Sequence, residues 1–245
     1  GRTGRPMKWR RHRDARPGIR EKDLVDTWQV VSLLLDYPDD VLLQRVPMLR
    51  GVVEGLPEAQ RMPLLEFLDH LTSARLGALQ REYVDTFDVT RKCSLHLTYF
   101  TSGDTRRRGV ALVEFKQAYR RAGLEFDSEV ELPDHLCVVL EFGAMQDWAT
   151  AWHLLTRHRV GVEVLRAGLA QRDSPWLPVL EALRSTLPPL EGSDAEALLR
   201  LVEQGPPQEE VGLEPYAIDP RLNPRPEPAD TTAMLGTTIP VGAPR

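Results

Sequence analysis

Apolar residues recur at steps of three and four positions through most of this chain. In KDLVDTWQVVSLLLDYP, residues 22–38, Leu24, Trp28, Val31 and Leu35 follow this spacing and Pro38 ends it. Such a period places the apolar side chains on one face of an α-helix, and proline cannot continue the helical hydrogen bonding. The pattern therefore predicts an amphipathic first helix that faces a core.

The same period continues in later segments, so the sequence predicts an all-α fold. Cap residues and prolines mark where helices begin: Ser73 and Asp104 as N-caps, and Pro57 and Pro133 at the first helical position. Residues 88–103 show no sustained period and are expected to form a loop with at most one helical turn. No stretch alternates as a half-buried strand would. The further predicted helices cover 39–55, 57–71, 73–87, 104–123, 133–146, 148–157, 159–172, 175–187 and 193–203.

The periodic region reads as one compact helical bundle over 23–204, with a tail on each side. Residues 205–245 hold nine of the twenty prolines and almost no periodic apolar spacing, which predicts a disordered Pro-rich tail. Residues 1–22 carry nine lysines and arginines against two carboxylates. A basic segment of this kind binds nucleic acid or anionic lipid in some proteins, but we interpret it as a solvated disordered tail.

Composition narrows the class of protein. The chain has 245 residues and a formal net charge of −5. Because 42% of its residues are apolar, it has enough apolar side chains for a sizeable core. Arg10 and Arg11 are not followed by the uninterrupted apolar segment of an export signal. No segment is long and apolar enough to span a membrane. Two cysteines in a chain of this length indicate free thiols, so we expect a cytoplasmic protein.

A search for catalytic or metal-binding motifs gives no strong candidate. Phosphate-binding glycine loops, a nucleophile elbow, HExxH and paired CxxC motifs are all absent from the sequence. Cys93 and His96 together with His135 and Cys137 contain the ligand types of a zinc site. However, His135 and Cys137 are two residues apart in a predicted helix and point about 200° away from each other. We therefore expect no metal, no cofactor and no enzymatic activity.

The segment between Arg121 and His135 is acidic and contains no basic residue. Its carboxylates alternate with apolar side chains, and it ends in the turn ELPDHL, residues 131–136. Two interpretations stay open: a solvated acidic loop, or a surface complementary to a basic and apolar peptide. The carboxylates are Glu125, Asp127, Glu129, Glu131 and Asp134.

Several stretches together resemble the nitrate reductase delta subunit family, the NarJ-type molybdenum cofactor assembly chaperones among the redox-enzyme maturation chaperones. The resemblance covers roughly residues 24–187, in the family's order and spacing. Each stretch alone is weakly specific, but the set is specific. The stretches are SLLLDYP (32–38), REYVDTFD (81–88), SLHLTYFTSGDTRRRG (94–109), LVEFKQAYRRAGLEFDSEVELPDHLCVVLEF (112–142) and, more weakly, LRAGLAQRDSPW (165–176).

The resemblance implies an all-helical cytoplasmic chaperone that is absent from the finished enzyme. Such a protein binds the N-terminal segment of the apo catalytic (alpha) subunit of respiratory nitrate reductase and keeps it competent for insertion of the molybdenum cofactor. Simple core packing is an equal alternative for Tyr83, Phe87 and Leu132, and Asp104 is equally interpreted as a cap. The family match places a client groove near Tyr83, Phe87, His96, Tyr99, Asp104, Arg107, Glu131, Leu132, Pro133, Asp134, His135 and Glu141.

Two other functions compete with this one. The first is a sister chaperone for a dimethyl sulfoxide or trimethylamine oxide reductase, although RRRG and ELPDHL favour the nitrate reductase branch. The second is a helical nucleic-acid-binding regulator that uses residues 1–22, for which we see no basic recognition helix. We expect neither a nucleic-acid partner nor membrane insertion.

Overall fold

The computed structural model describes residues 16–103, 106–127, 131–190 and 193–204, and within these ranges the secondary structure is helical. No strand occurs there, and the single β-type contact is an isolated bridge between His96 and His135. The predicted all-α class is therefore confirmed. The α-helices are α1 (Glu21–Leu34), α2 (Asp40–Glu54), α3 (Glu58–Ser73), α4 (Leu76–Tyr83), α5 (Tyr99–Ser102), α6 (Arg106–Arg121), α7 (Leu136–Met145), α8 (Trp148–Arg157), α9 (Arg159–Gln171), α10 (Leu177–Ser185) and α11 (Ser193–Gln204).

Helix α1 is the centre of the bundle and packs against α2, α7 and α10. The predicted core positions Leu24, Trp28 and Val31 are fully buried. Two indole N–H groups connect α1 to the C-terminal part of the bundle: Trp28 Nε1 donates to Thr186 Oγ1 at 3.1 Å, and Trp176 Nε1 donates to the Leu34 carbonyl at 3.0 Å. Burial of each such side chain contributes about 1.5–3 kcal/mol, and the hydrogen bonds fix its orientation.

The start of α2 agrees with the sequence, and the start of α3 differs by one residue. The Asp39 side chain accepts a hydrogen bond from Leu42 N at 2.7 Å and so caps α2, as its position before the apolar period predicts. Pro57 is the N-cap of α3 rather than its first helical residue. Gly55 ends α2 as predicted: its N–H donates to the Val52 carbonyl at 3.1 Å, and Leu56 N donates to the Val53 carbonyl at 3.0 Å.

The predicted helix over 73–87 is interrupted. Ser73 is the last residue of α3, and its hydroxyl donates to the His70 carbonyl at 2.9 Å, so its prediction as the cap of the next helix is wrong. After α4 the chain widens into a π-helical turn, Val84–Asp88. The rings of Tyr83 and Phe87, one at each end of this turn, lie inside the core at a centroid distance of 4.6 Å.

Helix α7 begins three residues later than the sequence predicts. Pro133 and Asp134 lie in a turn, and His135 is the N-cap, so Pro133 is not the first helical residue and Asp134 is not in the first turn. The reason is a long-range pairing: Leu97 N donates to the Asp134 carbonyl at 3.0 Å, and Leu136 N donates to the Leu95 carbonyl at 2.8 Å. These bonds hold the ELPDHL segment in a turn, so that the helix begins only at Leu136.

Several predictions fall on residues that the structure does not describe. Residues 1–15, Asp104 and 205–245 lie outside the described ranges, so the two disordered tails and the Asp104 cap stay predictions. Of the helices that are described, none is long and apolar enough to cross a membrane.

Candidate functional site

The bridge between His96 and His135 joins the loop after the π-helical turn to the ELPDHL turn. The two imidazole rings meet edge to face at a centroid distance of 5.2 Å. Neither the loop around His96 nor the ELPDHL turn has the sequence pattern of a strand. Their backbones nevertheless hydrogen-bond to each other, because neither segment is regular enough to satisfy its polar groups by helical hydrogen bonds. Two of the predicted site residues are therefore in contact.

Asp134 is the buried centre of this bridge. Its Oδ2 accepts hydrogen bonds from Thr98 N at 3.1 Å and from Thr98 Oγ1 at 2.6 Å, and its Oδ1 lies 3.4 Å from His96 Nδ1. The Arg108 guanidinium lies 3.9 Å from Oδ2. Burial alone would raise the pKa of Asp134, but the interactions with His96 and Thr98 outweigh it and lower the pKa to about 2. The side chain is therefore an ionised structural anchor rather than a surface charge.

His135 caps α7 through its ring. Its Nδ1 accepts a hydrogen bond from Cys137 N at 3.2 Å, which requires a lone pair on that nitrogen. Burial, followed by the nearby His96 ring, lowers the pKa of His135. Both observations indicate a neutral imidazole at physiological pH.

Tyr99 joins the bridge through Arg108 rather than Arg107. The Arg108 guanidinium lies 5.8 Å from the centre of the Tyr99 ring, in cation–π geometry, and its side chain is 14% exposed. Arg107, the predicted site residue, is exposed on α6.

Tyr83 and Phe87 are buried in an aromatic cluster with Trp176, at centroid distances of 5.7 and 5.5 Å. The Tyr83 hydroxyl donates to the Leu35 carbonyl at 2.9 Å, and burial raises the pKa of this phenol. These contacts give both rings a packing role, which agrees with the core alternative for these two positions.

Four carboxylates lie close enough to the buried Tyr83 hydroxyl or the Cys137 thiol to raise the pKa of that group, and we call them the acidic patch: Asp36, Asp88, Glu131 and Glu141. Asp36 follows Leu35, whose carbonyl accepts a hydrogen bond from the Tyr83 hydroxyl, and Glu141 lies one turn after Cys137 in α7. Burial, and then the charges of Asp36, Glu131 and Glu141, raises the pKa of the Cys137 thiol. Tyr37 lies beside the patch, 46% exposed, with its ring 5.5 Å from that of Tyr83. The patch therefore combines negative charge with an accessible aromatic ring.

An apolar cleft of about 220 Å³ adjoins the patch at Glu141. It lies between α7 and the segment that follows α6, with Glu125 and Glu141 as its carboxylates. The adjacent turn is fixed by the Tyr119 hydroxyl, which donates to the Pro133 carbonyl at 2.6 Å. We call this feature the apolar cleft; its apolar lining is Tyr119, Leu124, Phe126, Val138, Phe142 and Met145.

The cysteines and histidines do not converge on one point. Within the described ranges, no group of three or more His, Cys, Asp or Glu side chains is arranged to hold a metal ion. Cys93 is fully buried, and burial raises the pKa of its thiol to about 11. A protonated, inaccessible thiol is a poor nucleophile and a poor ligand.

Comparison with known protein families shows which family this chain belongs to. Residues 54–182, more than half of the chain, match the model of the family described as nitrate reductase delta subunit. The chain belongs to this family. The resemblance that the sequence motifs carry is thereby confirmed.

Members of the nitrate reductase delta subunit family align with most of the described bundle. A Bacillus subtilis protein assigned as a nitrate reductase molybdenum cofactor assembly chaperone, NarJ, is 33% identical over 162 residues, covering 66% of this chain and 88% of that protein. The nitrate reductase molybdenum cofactor assembly chaperone NarJ of Escherichia coli K12 is 34% identical, and the match covers 63% of this chain and 66% of that protein. The nitrate reductase-like protein NarX of Mycobacterium tuberculosis H37Rv is 36% identical, but the match spans 24% of its length.

A solved structure supports the fold of this delta subunit family member. The crystal structure of a protein assigned as a redox enzyme maturation protein from Archaeoglobus fulgidus superposes with a TM-score of 0.50 at 25% sequence identity. The superposition covers 65% of this chain and 91% of that one.

The sequence missed several residues of the site in this delta subunit protein. Thr98 and Arg108 hold Asp134, and Asp36 and Tyr37 contribute to the acidic patch. The position of Arg108 was predictable from the sequence, because it lies seven residues before the buried Phe115 and therefore on the same, inward face of α6. Asp36 and Tyr37 lie in the SLLLDYP stretch of the family resemblance, but their proximity to α7 depends on how α1 and α7 pack.

Proposed function

We propose that this chain is a cytoplasmic chaperone for a respiratory nitrate reductase. It binds the N-terminal segment of the apo catalytic (alpha) subunit, assists insertion of the molybdenum cofactor and assembly of the complex, and is not part of the finished enzyme. The observation that carries the proposal is the 33% identity over 88% of the Bacillus subtilis assembly chaperone. The ELPDHL and GDTRRRG motifs, which resemble those of the nitrate reductase chaperones, support the same assignment.

The surface of the bundle fits a peptide client. The apolar cleft accepts the apolar side chains of an amphipathic segment, and the adjoining acidic patch attracts its basic residues. A cleft of this size holds only a few side chains, so the rest of the client segment lies over exposed surface. That arrangement is consistent with binding that must later be reversed.

Chaperone action of this kind requires no catalysis and no resident cofactor. The ionisable groups at the bridge have structural roles: Asp134 anchors the Thr98 backbone, and His135 caps α7. The raised pKa values of Cys93 and Cys137 keep their thiols protonated. Because Asp134 is buried, the client-facing charges are Glu131 and Glu141.

Reversal of those two charges tests the proposal. In Glu131→Lys/Glu141→Lys, affinity for a peptide of the alpha-subunit N-terminal segment should fall between about twofold and thirtyfold at low salt, because each exposed pair contributes about 0.2–1 kcal/mol. The loss should shrink at high salt. Isothermal titration calorimetry measures it, and Glu54→Lys/Glu66→Lys, two exposed carboxylates on α2 and α3, is the matched control.

Two results would contradict the proposal. One is wild-type affinity for the peptide in the patch variant at low salt, with thermal stability unchanged. The other is absence of binding by the wild-type chain at micromolar concentration. Tighter binding of the corresponding peptide from a dimethyl sulfoxide reductase would assign the protein to the sister branch.

A further inference from the structure

Residues 6–13, PMKWRRHR, have the chemistry that the acidic patch and apolar cleft select. The segment joins an aromatic and a thioether side chain, Trp9 and Met7, to four lysine or arginine residues and one histidine, with no carboxylate. The acidic patch presents four carboxylates and the exposed Tyr37 ring next to the apolar cleft. Charge and apolar character are therefore complementary within one chain.

We propose that residues 6–13 bind on the acidic patch and apolar cleft of the same molecule and compete there with the client peptide. Trp9 is the apolar anchor, because an indole buries a large area at little cost in conformational freedom. The basic residues on both sides of it pair with Asp36, Glu131 and Glu141. The competition rests on the proposed function, whereas the intramolecular contact does not.

The length of the chain permits this contact. Asp36 follows the C-terminal end of α1, and α1 packs against α7, which carries Cys137 and Glu141. The sixteen residues from Arg20 to Asp36 advance about 24 Å at the helical rise of 1.5 Å per residue. Residues 16–20 bend at the start of α1, with Ile19 packed against the core, so the reach is counted over the seven residues from Trp9 to Arg16, which span about 25 Å when extended. Trp9 can therefore return along α1 to the patch.

A bound segment of this kind acts as an occupant that the client must displace. Tethering raises the local concentration of the segment to the millimolar range, so even weak intrinsic binding keeps a large fraction of the sites occupied. The apparent affinity for the client is then reduced by the fraction of molecules with an open site. Competition by residues 6–13 makes release of the client easier and prevents the apolar cleft from binding unrelated segments.

Site-specific photo-crosslinking in the full chain tests the contact directly. Trp9 is replaced by p-benzoylphenylalanine, and the crosslinked peptides are mapped by mass spectrometry. We expect crosslinks to α7 or to Asp36 and Tyr37. Their yield should fall about twofold to thirtyfold in Glu131→Lys/Glu141→Lys, and should be unchanged in Glu54→Lys/Glu66→Lys. A mixture of isotopically light and heavy chains separates contacts within one molecule from contacts between two.

Neutralisation of the segment tests the competition. Lys8, Arg10, Arg11 and Arg13 are changed to Gln in the full chain, and client affinity should rise about three- to tenfold as the occupant is lost. A control variant changes four exposed arginines elsewhere to Gln, so that net charge is equal; it should bind the client as the wild type does. The control positions are Arg45, Arg75, Arg81 and Arg91.

The outcomes separate this inference from the proposed function. Crosslinks that map elsewhere, that form only between molecules, or that persist in the patch variant would overturn the intramolecular contact, whether or not the client binds. Equal client affinity of the neutralised and control variants would overturn the competition. Failure of the client to bind any variant would refute the proposed function, while the crosslinks still decide the contact.

Discussion

Gly161→Ala should destabilise the protein by about 3 kcal/mol, at the upper end of the 1–3 kcal/mol typical of an overpacked site. An added Cβ would lie 2.9 Å from both the carbonyl carbon and the Cα of Leu97, and closer still to its carbonyl oxygen. These are backbone atoms, so no side-chain rotation can relieve the clash. The site must relax by moving α9 or the loop that carries the bridge.

The same loop rests on α9 at a second glycine. Gly168 lies seven residues after Gly161 and therefore on the same face of the helix, and a Cβ there would lie 2.7 Å from the Lys92 carbonyl oxygen. The two glycines form a seam at which the backbone of Lys92 and of Leu97 lies in direct contact with α9. The position of His96 and Thr98, and through them of Asp134, depends on this seam.

Thermal unfolding followed by circular dichroism measures the effect. For a chain of this size, a loss of about 3 kcal/mol lowers Tm by roughly 6–12 °C. Gly51→Ala is the control, because Gly51 is a helical position in α2 at which an added Cβ meets no atom within 4 Å. It should stabilise the protein by about 0.5–1 kcal/mol through helix propensity alone. Equal Tm values for the two variants would show that the seam is not tightly packed.

Most of the helices were predictable because their apolar period and their caps agree. In α1, Leu24, Trp28, Val31 and Leu35 have the regular spacing, and all four are fully buried. In α2, the cap at Asp39 precedes the same kind of period. Where local propensity, cap chemistry and burial support the same structure, tertiary contacts have nothing to override.

The errors occur where distant segments decide the local structure. Pro133 and Asp134 have the composition of a helix start, but the backbone hydrogen bonds with Leu95 and Leu97 hold them in a non-helical turn. Those partners are about forty residues away in the sequence, so no local signal contains them. The π-helical turn after Tyr83 also departs from the predicted regular helix, and Phe87 in this turn packs against Trp176 from a distant segment.

The candidate site was predictable in its residue types but not in its geometry. The sequence selected Asp134, His135 and His96, and the structure brings these three together. It selected Arg107, whereas its neighbour Arg108 is the arginine that approaches the bridge, because successive residues of a helix point about 100° apart. The acidic patch depends on the packing of α1 against α7, which only the folded structure supplies.

Asp134→Ala should destabilise the protein by about 2–4 kcal/mol at pH 7, because it removes the acceptor of two buried donors, Thr98 N and Thr98 Oγ1. Asp134→Asn keeps an acceptor oxygen but removes the charge, so its loss should lie in the lower part of that range, about 2–3 kcal/mol. Asp69→Asn is the control: its partner Arg50 is at the surface, and the change should cost less than about 1 kcal/mol. Urea unfolding gives these values.

The pH dependence identifies the charge on Asp134 as the cause. The folded-state pKa of about 2 lies below the value of about 3.9 in an unfolded chain, so ionised Asp134 stabilises the folded state. This contribution of about 2–3 kcal/mol is complete above about pH 4 and is lost as the pH falls towards 2. The stability difference between the wild type and Asp134→Asn should therefore be constant from pH 7 to about 5 and shrink below pH 4. A difference that keeps its pH 7 value at pH 3 and below would show that the carboxylate is not held ionised by Thr98 and His96.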